Sequence, residues 1–531
     1  MREGPRTTNT LAKKRYLVIY IVIMVLSAQA LLIWFWFYWK LFSLNDVLFY
    51  ILFPAWFFIG ILIFILSSVI IAKIFLTFIN LFHTPKQGVF TTSKEDKDYC
   101  YWSLRAVTKK WPIWLIRQLS LPFFEILAYK ILGIETSFSN ALDNAWIDCE
   151  YIKLGKNVRI GQGSLIMSNI IIGNKLIVRE VSIGDNVIIG AHALILPGTI
   201  IGNNSIVDSN GLTLINQKLE PNSIYSGNPV EKYAAHDILP NRALLEKSIP
   251  TEDPMNSITK EFIREEVKEL SVPFHFYIIT GIIIIGFSFI IPGILFFMTL
   301  FGLIIPYLFS LPLSMTSFLN PTTYLIMLSI PLILIGLYLL HLFFVALFTR
   351  WFYKRADLRG ASQGIYDRNL DDSSKALDYY HFRSFLMKYP IFAFSRSPFP
   401  WLLNWELRFI KSNIIGKSTV LEETFLHSHI NFGKNCYLGT SSHITNHLVD
   451  GVYGSENLTF IGVSIDDNSV LNSITGGLPG TEIGKNSTLL PSSTTIKFDK
   501  IGSNGIYAGF PAQKLTKEEI NKYLGGEYLG E

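Results

Sequence analysis

Four of the ten histidines in this 531-residue chain fall close together: His427, His429, His443 and His447. An imidazole near its ordinary pKa of about 6.5 takes a proton from an attacking hydroxyl or amine at neutral pH, so His447 reads as a general base. Asp450, three residues on, is placed to orient it. Thr440, Ser441 and Ser442 bring hydroxyl and backbone donors suited to a developing oxyanion, and His443 completes the candidate set. Two other readings compete. His429 and His447 are spaced by three successive units of the repeat described below, and stacked at about 4.8 Å they would begin a metal site, but no third ligand is evident and none is assigned. The four could also be exposed polar corners with no role. His192, in Gly190-Ala191-His192, reads as a corner residue, and Glu423 and Asp466-Asp467 as solvated corners.

The elements that must position these residues repeat every six. Aliphatic residues recur at Leu154, Ile160, Ile166, Ile172 and Val178, and after a slip of one at Ile183, Ile189, Ile195, Ile201 and Val207. Glycine follows at 155, 161, 173, 184, 190 and 202, and small or β-branched residues such as Ser164, Ala193, Thr199 and Ser205 sit four positions after the aliphatic ones. Neither a helix nor a simple strand has this period. A coil of three short strands has it, so the pattern predicts a parallel β-helix with three of these units in every coil. The period returns at Val420, Leu426, Phe432, Leu438 and Ile444 and again from Ile465 to Ile501, interrupted over Val449–Phe460. The interruption is expected to bulge outward as a loop, with His447 directly before it and facing an open cleft.

Half the residues are hydrophobic and only 16% are charged, against about 25% in a typical globular chain. The apolar residues gather in long runs. Leu17–Trp39 and Val47–Ala72 carry no charge, and Pro273–Thr349 runs its whole length without Lys, Arg, Asp or Glu, divided by Asn320-Pro321. Each run can cross a bilayer core of about 30 Å. Basic residues before the first run and at both outer ends of the last favour four crossings, the third kinked or partly re-entrant, with the N-terminus in the cytoplasm. Lys109–Leu132 mixes Trp and Phe with Lys and Arg and reads as an interfacial helix lying on the membrane. Three scattered cysteines exclude a disulfide framework and a zinc finger, and a net charge of +5 over this length does not suggest nucleic acid.

The layout occurs twice. Gln87-Gly88-Val89-Phe90 corresponds to Gln363-Gly364-Ile365-Tyr366, Lys110-Trp111-Pro112-Ile113 to Lys388-Tyr389-Pro390-Ile391, and Gly155-Lys156-Asn157 to Gly433-Lys434-Asn435. Aligned on Gly161 and Gly439, Asn169 falls opposite His447 and Leu165 opposite His443, so the imidazoles belong to the second copy alone. The expected domains are a transmembrane hairpin (1–82), an interfacial helical segment (83–147), a first β-helix (148–235), a linker (236–272), a second transmembrane region (273–349), a second interfacial segment (350–412), a second β-helix holding the site (413–516) and a tail (517–531).

The aliphatic-Gly hexads, the segment Gly190-Ala191-His192-Ala193-Leu194-Ile195-Leu196-Pro197-Gly198 and the closing Tyr225-x-Gly-x-Pro229 and Tyr507-x-Gly-x-Pro511 resemble the hexapeptide-repeat, left-handed β-helix acyltransferase superfamily. The tandem layout and Thr445-Asn446-His447-Leu448 are similar to the C-terminal membrane region of nonribosomal-peptide-synthetase-like enzymes that polymerise amino acids, of the ε-poly-lysine synthetase type. The resemblance implies integral membrane helices plus two left-handed β-helix domains on the cytoplasmic side. It also implies transfer of an acyl or aminoacyl group from a thioester, acyl-CoA or a carrier protein, to an amine or hydroxyl. The donor would bind in a groove between adjacent β-helices, of an oligomer or of the two copies of one chain. No adenylation domain or carrier serine motif is present, so an adenylation or carrier protein would act in trans, and the first β-helix, with Asn169 in place of the base, would be degenerate. The partners implied are the lipid bilayer and such a protein. The alternatives are a non-catalytic membrane scaffold that docks partner enzymes and, behind it, a metal-dependent hydratase of the carbonic-anhydrase type.

Overall fold

A computed structural model of the chain describes residues 7–119, 121–235, 274–360, 362–367, 375–450 and 457–526. The expected linker 236–272 lies outside them. The uncharged runs form helices α1 (Tyr16–Phe42) and α2 (Asp46–Phe82), paired as a hairpin that Asn45 caps by accepting from the Leu48 amide at 3.1 Å. After α3 (Lys97–Leu119) and α4 (Pro122–Leu132) comes a first set of short strands. The plan then repeats with α5 (Phe274–Thr299), α6 (Met315–Leu319), α7 (Pro321–Asp357), α8 (Lys375–Ser395) and α9 (Leu403–Ile410), a second set of strands, and α10 (Lys517–Leu524). Among the described residues four helices are long and apolar enough to span a membrane: Tyr16–Phe42, Val47–Phe82, His275–Phe309 and Pro321–Asp357. The third is α5 continued without a break into a π-helical stretch, Leu300–Phe309. Asn320-Pro321, read as a divider, caps α7 and supplies its first helical residue.

Strands one coil apart pair in parallel, Ile188 with Ile206 and Val470 with Thr488, and among the described residues each set has three such parallel sheets, one of them closed by an antiparallel strand, beside a separate antiparallel sheet. Ile160, Ile166, Ile189 and Ile195 point inward and are buried, with Ser164, Ala193, Thr199 and Ser205 filling the remaining interior. A Cβ on Gly161 would stand 2.6 Å from the Ala191 amide nitrogen, and one on Gly439 2.6 Å from that of Ser473, so only glycine lets successive coils close there. The corners hold asparagines in the left-handed region. Asn157, Asn186, Asn204 and Asn222 pass a side-chain amide hydrogen bond from coil to coil at 3.0–3.1 Å. Asn435, Asn468, Asn486 and Asn504 repeat the ladder.

Three expectations need correction. Ile172 and Val178 do not continue the coil: residues 169–172 and 175–178 form an antiparallel hairpin, and the coil resumes where the Arg179 amide donates to Ser168 O at 2.9 Å. The six-residue spacing through this hairpin is a coincidence of length, and the slip of one after Val178 marks the return. Lys109–Leu132 is not one helix on the membrane surface. It is the end of α3 and all of α4, and α3 is buried between α1, α2 and the strands because each lysine finds an acceptor: Lys109 Nζ donates to Cys149 O (2.6 Å), and Lys110 Nζ to Thr7 O (2.8 Å) and Asn9 Oδ1 (2.7 Å). The tail 517–531 begins with α10, closed by a Thr516/Glu519 capping box, whose Tyr523 and Leu524 pack with Leu212 and Ile215 of the first strand set.

The two halves are tied at a second place. The extended segment 7–12 runs from α3 to the second strand set, where Asn9 donates its amide to Glu422 Oε2 (2.7 Å) and its side chain to Leu421 O (2.8 Å), and Thr8 donates to Glu422 Oε1. Burial raises the Glu422 carboxyl above the usual range while Lys110 pulls it down, and burial lowers Lys110 itself to about 8. The corner ladder yields a prediction. Asn186→Ala, which loses two ladder bonds and strains a left-handed corner, should cost about 1–2 kcal/mol in equilibrium unfolding, and Asn186→Gly clearly less. Equal costs would disprove the conformational part of the account.

Candidate active site

The interruption at Val449–Phe460 is a second hairpin, not a loop. His447–Asp450 pairs antiparallel with Asn457–Phe460, and the tip lies outside the described residues. It leaves the coil where the first hairpin does, for the Ile461 amide donates to Asn446 O as that of Arg179 does to Ser168 O. In both copies a strand covers the outer arm: Gly88–Thr91 pairs with 175–178 and Gly364–Asp367 with 457–460. Gln87 and Gln363 accept from the amides of Glu180 (3.0 Å) and Gly462 (2.9 Å), which explains the paired Gln-Gly motif.

Superposed through these bonds, Asn169 and His447 each open a hairpin, and Asp148 and His427 take the same place on the coil beneath, each donating its amide to the next coil (Ile166 O and Ile444 O). In the first copy the two are joined directly, Asn169 Nδ2 to Asp148 Oδ2 at 2.6 Å, with Trp146 Nε1 on the other oxygen at 3.0 Å. Burial lifts that carboxyl to about 6. In the second copy the pair is two imidazoles, edge to face with centroids 4.2 Å apart, and the Tyr380 ring stands edge-on to His447 at 4.7 Å.

His447 is half-buried against these rings. Loss of solvent lowers its pKa to about 4, with the charges of Arg383 and His381 adding to the effect. Burial, reinforced by His447, drives His427 further down. Both rings are therefore neutral at physiological pH. Asn446 Oδ1 lies 3.1 Å from His447 Nδ1, and donation from Nδ1 leaves the Nε2 lone pair available as a base. Arg383 is buried nearby, its guanidinium 4.1 Å from the Phe460 ring centroid and within reach of the Tyr379 hydroxyl.

The other expected residues are more dispersed. Asp450 is on the hairpin, but its side chain lies outside the described residues. His443 pairs on the coil with Phe425 and Gly476, its ring exposed. The Ser442 hydroxyl is engaged inside the coil, donating to Asn472 O (2.8 Å) and accepting from Thr475, and the Ser441 amide donates to Glu423 O (2.7 Å). The Ser442 hydroxyl and the Ser441 amide, two of the donors expected to hold an oxyanion, are thus already used by the coil. His429 does not stack on His447, because the hairpin lifts His447 off the coil. It meets the Phe460 ring (5.3 Å) and lies 3.8 Å from Asp357. His192 is a left-handed corner as read, whereas Glu423 is not solvated but sits 3.1 Å from Arg396. Sequence reasoning passed over Asn446, Tyr380 and Arg383. Arg383 stands opposite Arg105 in a further pair of matching segments, Tyr101-Trp102-Ser103-Leu104-Arg105 and Tyr379-Tyr380-His381-Phe382-Arg383, and that was the available signal.

Residues 180–214 match the family model described as the hexapeptide repeat of succinyl-transferase. The chain carries hexapeptide repeats. No curated protein matches it. Among solved structures it is similar to a hexapeptide-repeat-containing acetyltransferase of Vibrio cholerae O1 biovar eltor complexed with acetyl coenzyme A (19% identity, TM-score 0.19, 20% of this chain and 61% of that one). It is also similar to an N-acyltransferase of Bacillus cereus in complex with dTDP-4-amino-4,6-dideoxyglucose and coenzyme A (22%, 0.17, 23% and 66%) and to a maltose O-acetyltransferase of Clostridium difficile 630 (18%, 0.17, 21% and 74%). The chain thus spans less than two thirds of the first two.

The lowered His447 pKa has a consequence for stability. Between pH 6.5 and about 4 the unfolded chain binds a proton that the folded chain refuses, so stability is full above 6.5 and falls as the pH drops through this window. Replacing the ring by the first copy's residue, His447→Asn, should remove on the order of 1–3 kcal/mol of the difference between denaturant unfolding at pH 7 and at pH 4.5. Identical pH dependence in both proteins would place the ring in solvent.

Proposed function

We propose that this chain is a membrane-bound acyltransferase, with two left-handed β-helix domains (148–235 and 413–516) on the cytoplasmic face of a four-helix membrane region. The observation that carries the reading is the replacement, at one position of a duplicated scaffold, of the Asp148–Asn169 pair by the neutral imidazoles of His427 and His447. The match of residues 180–214 to a succinyl-transferase repeat supports it.

In this reading His447 Nε2 takes the proton from an acceptor hydroxyl or amine as the freed electron pair attacks the thioester carbonyl of an acyl-CoA or carrier-protein donor. Asn446 holds the ring through Nδ1 and takes the orienting part expected of Asp450. The tetrahedral oxyanion falls to Arg383, whose charge lies close enough to lower the His447 pKa. Collapse breaks the C–S bond, and the departing thiolate recovers the proton from His447. His427 stays neutral and limits how far the imidazolium can drift before returning its proton.

Release of coenzyme A from acetyl-CoA and succinyl-CoA, followed with primary amine and alcohol acceptors in detergent-purified protein, tests the assignment. His447→Ala should lower the rate about 10²–10⁴-fold with unchanged folded yield. An unchanged rate would favour the docking scaffold. In kcat/KM the acidic limb should fall near pH 4, where His447 protonates, and not near 6.5.

A further inference from the structure

The first copy has a cleft of about 240 Å³ between the end of α2, α3 and the first coil, far in kind from the histidine site. Its charges are sorted by depth. At the inner end are Arg105, 3% exposed, and buried Lys109, around one carboxylate: Arg105 Nε lies 2.5 Å and Lys109 Nζ 3.8 Å from Glu150. That group of three carries one net positive charge. At the rim Lys153 stands between Glu135 (3.6 Å) and Glu180 (3.3 Å), a group with one net negative charge. Lys73 adds a cation from the exposed face of α2.

Three buried atoms on the lining have no hydrogen-bond partner among the described residues: the donor Arg105 Nη1, the Asn80 Oδ1 acceptor and the Tyr151 hydroxyl. Buried polar groups are ordinarily satisfied, and a guanidinium N–H above all. The second copy does not keep this set. Arg383 matches Arg105, but Met387 stands at Lys109, and at the corner where the Tyr151 carbonyl accepts from Val181 the second copy has His429 accepting from Val463. The polar lining therefore belongs to the first copy and is not demanded by the fold.

We infer that this cleft binds a short zwitterion, its anionic group on Arg105 Nη1 and its ammonium among Asn80, Glu135 and Glu180. A simple anion would meet three carboxylates and a simple cation four basic side chains, whereas a dipolar ligand matches both ends. The same chemistry has two sources, a free amino acid in solution and the headgroup of phosphatidylethanolamine, since α2 ends beside the cleft. The inference is independent of acyl transfer, and its readout is binding alone.

The test is isothermal titration of the full chain in nanodiscs of phosphatidylglycerol only, with L-alanine and with glycerophosphoethanolamine. The singly charged controls are alaninamide and N-acetylalanine for the amino acid, and ethanolamine and the phosphodiester glycerophosphoglycerol for the headgroup. At least one zwitterion should bind at least tenfold more tightly than its own controls, and the double rim variant Glu135→Gln/Glu180→Gln, at one exposed and one half-buried side chain, should weaken it at least tenfold. Arg105→Lys, which keeps the charge and loses Nη1, should do the same. L-alanine alone binding assigns the free source, and glycerophosphoethanolamine alone the lipid headgroup. Binding of neither, controls that bind as well as the zwitterion, or a rim variant with undiminished affinity each overturn the inference.

Discussion

Everything in the strand sets follows from one requirement: successive coils must meet at backbone hydrogen-bond distance, so each has room for three short strands with their corners and no more. Surplus chain has to leave. It leaves at one point in each copy, where a strand's partner lies further along the chain than a single coil reaches. Ile188 pairs with Ile206 but Leu165 with Leu194, and Val470 pairs with Thr488 but Tyr437 with Val470. Because the same ladder bonds close behind both excursions, the first residue of each hairpin is held against a fixed place on the coil below. A side chain at that point is both rigidly based and lifted from the stack.

Duplication shows what is architecture and what is chemistry. The covering strand, the glutamine that holds the hairpin exit and the asparagine ladder occur in both copies, as the geometry of a closed coil demands. The contents of the hairpin base do not. An amide bonded to a buried carboxylate needs no solvent and offers nothing to a substrate, whereas two imidazoles edge to face leave ring nitrogens uncommitted.

The six-residue period, the charge-free helices and the equivalence of Asn169 with His447 were all legible in the residues, because each depends on local spacing. What was not legible depended on contact between distant parts of the chain. Lys109 and Lys110 look like surface charges until Cys149 O, Thr7 O and Asn9 are brought to them. Ser442 looks like a donor for substrate until Thr475 and Asn472 of the next coil are seen to engage it. Ile172 and Val178 kept the right spacing for the wrong reason, since periodicity alone does not distinguish a coil from a hairpin of compatible length.

Segment 7–12 has its final partners far downstream in the chain, at Leu421 and Glu422. On a ribosome it emerges long before they exist, so Lys110, already bonded to Thr7 O and Asn9 Oδ1, must wait through most of synthesis for the Glu422 carboxylate that balances its charge. The first half therefore cannot attain its mature arrangement until the second is largely made, and the two are matured as one object despite looking like separable repeats.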